Sequence, residues 1–121
     1  MHLQTGKAGE DFAVKQLQTI HNFEVLHRNW RPKDGKGEID LIALQYGVVV
    51  FCEIRTRANQ SLKDTYASIN HRKKKILRKT SIQFLNSQIK YPKHYRFDIC
   101  VVLGFRKDAF QFYHFKNIPL F

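Results

Sequence analysis

Two stretches of this chain carry apolar residues at helical spacing, and each predicts a helix with one face toward a core. The first runs from about Lys7 to His21 and the second from about Asp64 to Ser87. The first apolar stripe consists of Ala13, Val14, Leu17 and Ile20. The second consists of Ile69, Ile76, Leu77, Thr80 and Phe84.

Five shorter runs are rich in β-branched and aromatic residues and predict β-strands. They are Phe23–Arg31, Glu38–Leu44, Val48–Thr56, Arg96–Leu103 and Phe110–Phe115. The second and third are joined by little more than Tyr46 and Gly47, which predicts a hairpin. The element order α-β-β-β-α-β-β predicts an α/β fold with a mixed central β-sheet flanked by helices, in a single domain over residues 1–121.

The hairpin brings carboxylates together if Tyr46 and Gly47 form a two-residue turn. The register that follows places Asp40 directly across from Glu53. Like charges at opposed positions destabilise a strand pair, whereas a divalent cation such as Mg²⁺ takes carboxylate oxygens as ligands. A metal site is therefore expected here, provided that the register does not slip by one residue.

The hairpin face that carries these carboxylates is charged at one end and apolar at the other. By the same register Glu38 faces Arg55, for which an ordinary cross-strand ion pair is the favoured interpretation. Asp40, Glu53 and Arg55 share their face with Ile42, Leu44, Val49 and Phe51. This pattern describes a buried strand pair that ends in a cleft.

Glu10 adds a third carboxylate. It precedes Ala13, Val14 and Leu17 by three, four and seven residues, so it lies on the helical stripe that should face the core. A charge there needs a partner, which is either a structural one such as an arginine or the same metal site. The residues alone leave both alternatives open.

The charge of the chain favours nucleic acid as its partner. The sequence has 21 Lys plus Arg against 10 Asp plus Glu, a net charge of +11, and such an excess favours a polyanion. A membrane is disfavoured because no apolar run approaches the roughly 18 residues of a membrane span. Trp30 is expected either to stack on an unpaired base or to join the core. The predicted nucleic-acid-binding residues are Arg31, Arg57, Arg72, Lys74, Lys75 and Arg78, most of them in or near the basic run that starts at His71.

The two cysteines, Cys52 and Cys100, each lie inside an apolar run. No Cys-x-x-Cys or Cys/His spacing typical of zinc sites accompanies them, so they are expected to be buried reduced thiols. The N-terminal sequence lacks the continuous apolar stretch of a signal peptide, and a cytoplasmic location is therefore expected.

Several motifs, taken together, resemble a known family. Gly37-Glu38-Ile39-Asp40, followed by Glu53-Ile54-Arg55, resembles the Asp…Glu-x-Lys signature of restriction-endonuclease-like nucleases. The chain as a whole resembles the YraN family of small bacterial proteins, which is itself similar to archaeal Holliday-junction resolvases. The matching motifs are Gly6-x-x-Gly9-Glu10-x-x-Ala13, Asn29-x-Arg31, Gly37 to Ala43, Glu53-x-Arg55-x-Arg57, Arg96-Phe97-Asp98 and Ala109-Phe110.

The resemblance implies a restriction-endonuclease-like fold and a bound Mg²⁺ or Mn²⁺. The implied ligands are Asp40, Glu53 and the backbone carbonyl of Ile54, with Glu10 reaching in from the first helix. The clear departure is Arg55, where the family and its nuclease relatives usually carry Lys. Arginine keeps the positive charge and can hold a phosphate through two nitrogens, but it does not lose its proton in a protein.

Three functional hypotheses follow. The leading one is a metal-dependent DNA endonuclease that hydrolyses phosphodiester bonds, with branched DNA as one candidate substrate and Glu10, Asp40, Glu53 and Arg55 as catalytic residues. The alternative is a non-catalytic nucleic-acid-binding module on the same fold with a degraded site. The third is a subunit whose basic surface meets an acidic protein. If the resemblance to junction resolvases extends to assembly, a two-fold homodimer follows.

Overall fold

The computed structural model of the protein describes residues 2–88, 90 and 94–120, with the side chains of all but residues 2–5 and 107. Within these residues the helices are α1 (His2–Ile20), α2 (Leu62–Ala67) and α3 (His71–Ser87). The strands are β1 (Glu24–Trp30), β2 (Ile39–Gln45), β3 (Val48–Arg57), β4 (Tyr95–Leu103) and β5 (Gln111–Phe115). A short 3₁₀ turn over Lys107–Ala109 precedes β5.

The strands form one mixed sheet in the order β1-β2-β3-β4-β5. Neighbouring strands are antiparallel except β3 and β4, which are parallel and are connected through α2 and α3. Parallel neighbours need a long crossover, and these two helices supply it. The predicted α/β class with a mixed, helix-flanked sheet is confirmed, and the architecture is consistent with a restriction-endonuclease-like fold.

Helices cover both faces of the sheet and divide the core into two clusters. On one face, α1 packs Ala13, Val14 and Leu17 against the sheet. On the other, α3 packs Leu77 and Phe84 against Ile42, Val49 and Phe51. Most of the two predicted helical stripes therefore face the core, with the sheet between them, but Ile20 and Ile76, which belong to these predicted stripes, are exposed.

The second helical segment consists of two helices, so the single helix predicted from Asp64 to Ser87 is wrong. Asn70 is extended between them, and its side-chain oxygen accepts a 2.9 Å hydrogen bond from the backbone N–H of Lys73. Asparagine competes with the helix backbone in this way and therefore begins helices more readily than it continues them. Apolar spacing does not reveal the break, because Ile69 is buried at the helical spacing across it.

Two glycines let α1 and α3 approach the same end of the sheet from opposite faces. A Cβ atom at Gly9 would lie 2.9 Å from Cβ of Thr56 in β3 and still closer to the two γ atoms. A Cβ atom at Gly37, which has a φ of +98°, would lie 3.4 Å from Cβ of Thr80 in α3 and closer to its hydroxyl. Any larger residue would push a helix away from this end of the sheet.

Both cysteines are buried and unbridged, as predicted. Over the part of the chain that the structure describes, no helix is long and apolar enough to cross a membrane. A buried ionic network lies within the sheet, near the C-terminal end of α1, where the ring of His21 contacts that of His114.

That network is centred on Asp98 in β4. Its buried carboxylate makes hydrogen bonds of between 2.8 and 3.1 Å with Arg96, with His114 in β5 and with the backbone N–H of Asn117. Arg96 also donates a 2.6 Å hydrogen bond to Gln45 in β2, so the network ties three strands together. Burial alone would raise the pKa of Asp98, but the hydrogen bonds from His114, Arg96 and Asn117 outweigh it and hold the pKa below its ordinary value.

We expect Asp98→Asn to destabilise the fold by about 3–5 kcal/mol, because Arg96 and His114 would lose their shared carboxylate in a buried place. The folded-state pKa of Asp98 is lowered, so its contribution is present above an unfolded pKa of about 3.9 and is lost as the pH falls through the folded value. Denaturant titrations at pH 7 and at falling pH measure both effects. The control is Asp108→Asn, which removes only an exposed partner of Arg106. Equal stability of the two variants would contradict the assignment.

Candidate active site

A cleft of about 270 Å³ opens at the end of the sheet where the two helices approach closely. Its walls come from α1, from β2 and β3, and from the first turn of α3. The lining residues are Gly6, Glu10, Asp40, Glu53, Ile54, Arg55, Thr56, Arg57 and Lys73. The four residues predicted to be catalytic therefore lie around one cleft.

The turn of the hairpin fixes which residues of β2 and β3 meet. Tyr46 and Gly47 both have positive φ angles, +48° and +79°, as a type I′ turn requires. Tyrosine is unusual there, but it is exposed and its hydroxyl accepts a 2.8 Å hydrogen bond from the side chain of Asn22. Pairing then follows the predicted register as far as Leu41 and Cys52, and that prediction is confirmed to this point.

The same register would next place Asp40 opposite Glu53, but the regular ladder ends before that pair. The two side chains nevertheless lie close enough to interact. Oδ2 of Asp40 accepts a 2.8 Å hydrogen bond from the backbone N–H of Ile54. In a continuing antiparallel ladder that N–H would bond to a backbone carbonyl of β2. Ile39 also packs in the same core cluster as Ile42, although strict alternation would place them on opposite faces. The irregular strand start thus lets the Asp40 carboxyl group replace a backbone partner at the cleft.

Burial and crowding raise the pKa of Asp40 to about 8. Burial of the carboxyl group is the largest cause of this increase, and the negative charge of Glu53 is the second. The hydrogen bond from the N–H of Ile54 lowers the pKa. A hydrogen bond with Glu53 and the negative charge of Glu10 raise it further. At neutral pH the Asp40 carboxyl group therefore carries a proton. Two carboxyl groups that cannot both be charged in one buried place favour a cation between them.

Glu53 is 6% exposed and has two cationic neighbours. Its Oε2 lies 3.2 Å from Nε of Arg55 and 3.6 Å from Nζ of Lys73. The contact with Arg55 is an ion pair that is not aligned as a hydrogen bond, and Oε1 of Glu53 accepts no hydrogen bond from the described residues. A buried carboxylate oxygen without a partner, beside a second carboxyl group, matches the oxygen donors that Mg²⁺ and Mn²⁺ prefer.

The predicted ion pair between Glu38 and Arg55 is wrong. Oε1 of Glu38 instead accepts a 3.1 Å hydrogen bond from Nε of Arg31. Glu38 precedes the first residue of β2, and the strand pairing has already ended, so the hairpin register no longer positions it. Arg55 is consequently a neighbour of Glu53 inside the cleft.

Glu10 lines the cleft from α1 and also meets an arginine. Its Oε1 accepts hydrogen bonds from Arg28 and from Asn29, each of 3.2 Å. Across the described residues, no group of three or more His, Cys, Asp or Glu side chains is positioned to hold one ion together. Arg28 is thus the structural partner of Glu10, and a role for Glu10 as a metal ligand remains a prediction.

The six predicted nucleic-acid-binding residues are spread over the cleft, two grooves and the surface of α3. Arg57 lines the cleft, where it also donates a 2.8 Å hydrogen bond to the carbonyl oxygen of Thr56. Lys75 and Arg78 line a groove of about 550 Å³ on α3, and Arg31 lines one of about 830 Å³ beyond the end of β1. The remaining two residues also lie on α3. These positions do not gather the six side chains into one site.

Trp30, for which base stacking and a core position were both expected, packs on the core. Its ring meets that of Phe84 edge to face, with centroids 5.2 Å apart. Lys73 is the cleft residue that sequence reasoning missed. It lies four residues before Leu77 and seven before Thr80, both buried, so helical periodicity already places it on the core-facing stripe.

We expect Asp40→Asn to leave the metal-free fold as stable as the wild type below about pH 4 and increasingly more stable than the wild type as the pH rises towards 8. The reason is that a raised folded-state pKa makes the wild type lose stability as the pH rises from about 3.9 to about 8, whereas asparagine does not titrate. Mn²⁺ should raise the melting temperature of the wild type but not that of the variant. Thermal denaturation across this pH range, with and without Mn²⁺, measures both. Identical pH profiles for the two proteins would refute the claim that burial beside Glu53 raises the pKa of Asp40.

Comparison with known proteins places the chain in a family. Residues 9–102 match the family model described as "Uncharacterised protein family UPF0102". The chain is 38% identical over 117 residues to a UPF0102 protein of Caldicellulosiruptor saccharolyticus, covering 94% of this chain and 95% of that protein. It is 36% identical over 114 residues to one of Sulfurihydrogenibium sp., covering 94% and 92%, and 35% identical over 126 aligned residues to one of Bacteroides fragilis, covering 99% and 98%. The resemblance deduced from the motifs is confirmed: the chain belongs to the UPF0102 family, which is the YraN family.

Proposed function

We propose that this protein is a divalent-metal-dependent nuclease that hydrolyses phosphodiester bonds in DNA. The observation that carries the proposal is the pair Asp40 and Glu53, two crowded carboxyl groups at the wall of one cleft. One carries a proton at neutral pH, and the other is 6% exposed with an oxygen that has no hydrogen-bond partner among the described residues. Burying such a pair costs stability, and a cation that binds between them offsets that cost.

Asp40 and Glu53 would hold the Mg²⁺ or Mn²⁺ ion, with the backbone carbonyl of Ile54 and the side chain of Glu10 as further oxygen donors. When bound, such an ion polarises phosphate oxygens and lowers the pKa of water. The chain itself keeps these donors in place. The N–H of Ile54 orients Asp40, and Arg28 and Asn29 orient Glu10 at the rim.

The positive charges of the cleft would attract the phosphate of the DNA strand. In hydrolysis, the oxygen of a water molecule bonds to phosphorus, one P–O ester bond breaks, and the leaving oxygen takes a proton. Arg55, Arg57 and Lys73 all line the cleft, and their positive charges would lower the electrostatic cost of the negative charge on the phosphate oxygens. Phosphate contacts carry no base sequence, so binding is expected to be sequence-independent and sensitive to salt.

Branched DNA and a two-fold homodimer belong to the same proposal. A branched junction offers symmetric cleavage positions, which a symmetric pair of clefts would fit. The net charge of +11 supports a polyanionic substrate but does not by itself distinguish one DNA structure from another.

A specific observation favours a second candidate, a nucleic-acid-binding module without catalysis. The charges of the cleft are already balanced without a metal, because Glu53 has Arg55 and Lys73 beside it and Asp40 is protonated at neutral pH. Such a site is compatible with a stable protein that binds phosphates through its basic residues. Binding and cleavage must therefore be scored separately.

The test is incubation with end-labelled linear, single-stranded and branched DNA in Mg²⁺ or Mn²⁺. The wild type should bind and cleave at least one of them, and cleavage should stop when EDTA removes the ion. Asp40→Asn and Glu53→Gln should still bind DNA but lose cleavage, because each removes an ion ligand without adding a negative charge. Glu38→Gln is the control. Glu38 pairs with Arg31 outside the cleft, so the variant should cleave DNA as the wild type does. Tight binding without cleavage of any substrate would favour the second candidate.

A further inference from the structure

The cleft contains a lysine that belongs to neither predicted set of functional residues. The basic run that begins α3 would place most of its side chains in solvent, yet Nζ of Lys73 lies 3.6 Å from Oε2 of Glu53. The Lys73 side chain is 31% exposed, which leaves its ammonium group accessible from the cleft. Lys73 is therefore part of the site and not of the solvated helix surface.

The start of α3 fixes this position. The side-chain oxygen of Asn70 caps the helix by accepting a hydrogen bond from the backbone N–H of Lys73. This hydrogen bond holds the first turn in place. Ile69 before the helix and Leu77 one turn after Lys73 are both buried, so the face between them points to the sheet. Close packing of Thr80 against Gly37 brings the same helix to the strand that carries Asp40. Lys73 is the cationic member of a stripe that is otherwise buried.

Arg55 and Lys73 approach the same oxygen of Glu53, but their settings differ. The Nε atom of Arg55 is buried and lies 3.2 Å from Oε2 of Glu53, and both residues belong to β3. Lys73 is farther away, more exposed, and comes from another element. A lysine ammonium group is compact, with three rotatable donors on a flexible stem, so it can leave one anion for another nearby at small cost.

We propose that Lys73 is the cation of this cleft that contacts the phosphodiester being hydrolysed, while Arg55 remains the partner of Glu53. The proposal rests on the proposed nuclease function. It assigns the lysine of the site to the first turn of α3, although the motif that contains Glu53 ends in arginine.

The first test does not depend on turnover. The wild-type protein is treated with an amine-acylating reagent, alone and with a short DNA duplex in Ca²⁺, a hard cation that takes carboxylate oxygens. Mass spectrometry then reports the labelling of each lysine. Bound duplex should abolish labelling of Lys73 and leave Lys15, exposed on α1, unchanged. Equal labelling of Lys73 in free and bound protein would overturn the proposal even if the protein proves to be a nuclease.

The second test compares Lys73→Met with Lys79→Met, which removes the same charge from the same helix. Lys79 is six residues later and thus lies about 120° around the helix from Lys73. Single-turnover cleavage should fall roughly 10²–10³-fold for Lys73→Met and change little for Lys79→Met. Calorimetric Mn²⁺ affinity of Lys73→Met should stay the same or rise, because a competing positive charge beside Glu53 is gone.

Reduced cleavage with unchanged Mn²⁺ affinity distinguishes a phosphate contact from a structural role of Lys73. If Lys73 only supported the fold of the cleft, Lys73→Met would weaken Mn²⁺ binding and cleavage together, and Lys73→Arg would restore both. Cleavage by Lys73→Met at the wild-type rate would also overturn the proposal. If the wild type cleaves no DNA, the nuclease function fails, and the labelling experiment alone still shows whether Lys73 contacts the DNA backbone.

Discussion

The site depends on one electrostatic constraint, which is that two carboxyl groups share a buried corner of the sheet. The type I′ turn at Tyr46 and Gly47 sets the register, and the register brings Asp40 and Glu53 together. The fold tolerates the pair by protonating Asp40, whose pKa rises to about 8, and by bringing cations to Glu53. A divalent ion would take the place of the proton, so binding of the ion is coupled to release of the proton from Asp40.

Both helices are positioned to serve this corner. At Gly9 and Gly37 the absence of a side chain lets α1 and α3 approach from opposite faces, and these helices contribute Glu10 and Lys73. At the other end of α1, the network around Asp98 ties β4 to β2 and β5. This fully hydrogen-bonded carboxylate network thus lies away from the cleft, where a crowded and partly unpaired carboxylate pair is kept for binding an ion.

Local patterns in the sequence predicted much of this arrangement, because apolar periodicity and the two-residue turn act over short distances. They could not predict the break before α3, because the apolar spacing continues across it. The break is set by Asn70, whose side chain caps α3 by accepting a hydrogen bond from the backbone N–H of Lys73. Register arithmetic also failed at Glu38, where the strand pairing has ended. The contact between Lys73 and Glu53 joins two elements, and only the packing of α3 on the sheet reveals it.

The central claim is that Asp40 and Glu53 form one ion site, and a crystal structure with Mn²⁺ tests it most directly. Anomalous scattering locates the manganese independently of the protein coordinates. The account predicts one strong anomalous peak within ligand distance, about 2.2 Å, of a carboxylate oxygen from each of these two residues. The Asp40→Asn crystal, treated in the same way, should lack that peak. An empty carboxylate pair at millimolar Mn²⁺, or an ion bound elsewhere and not here, would contradict the account.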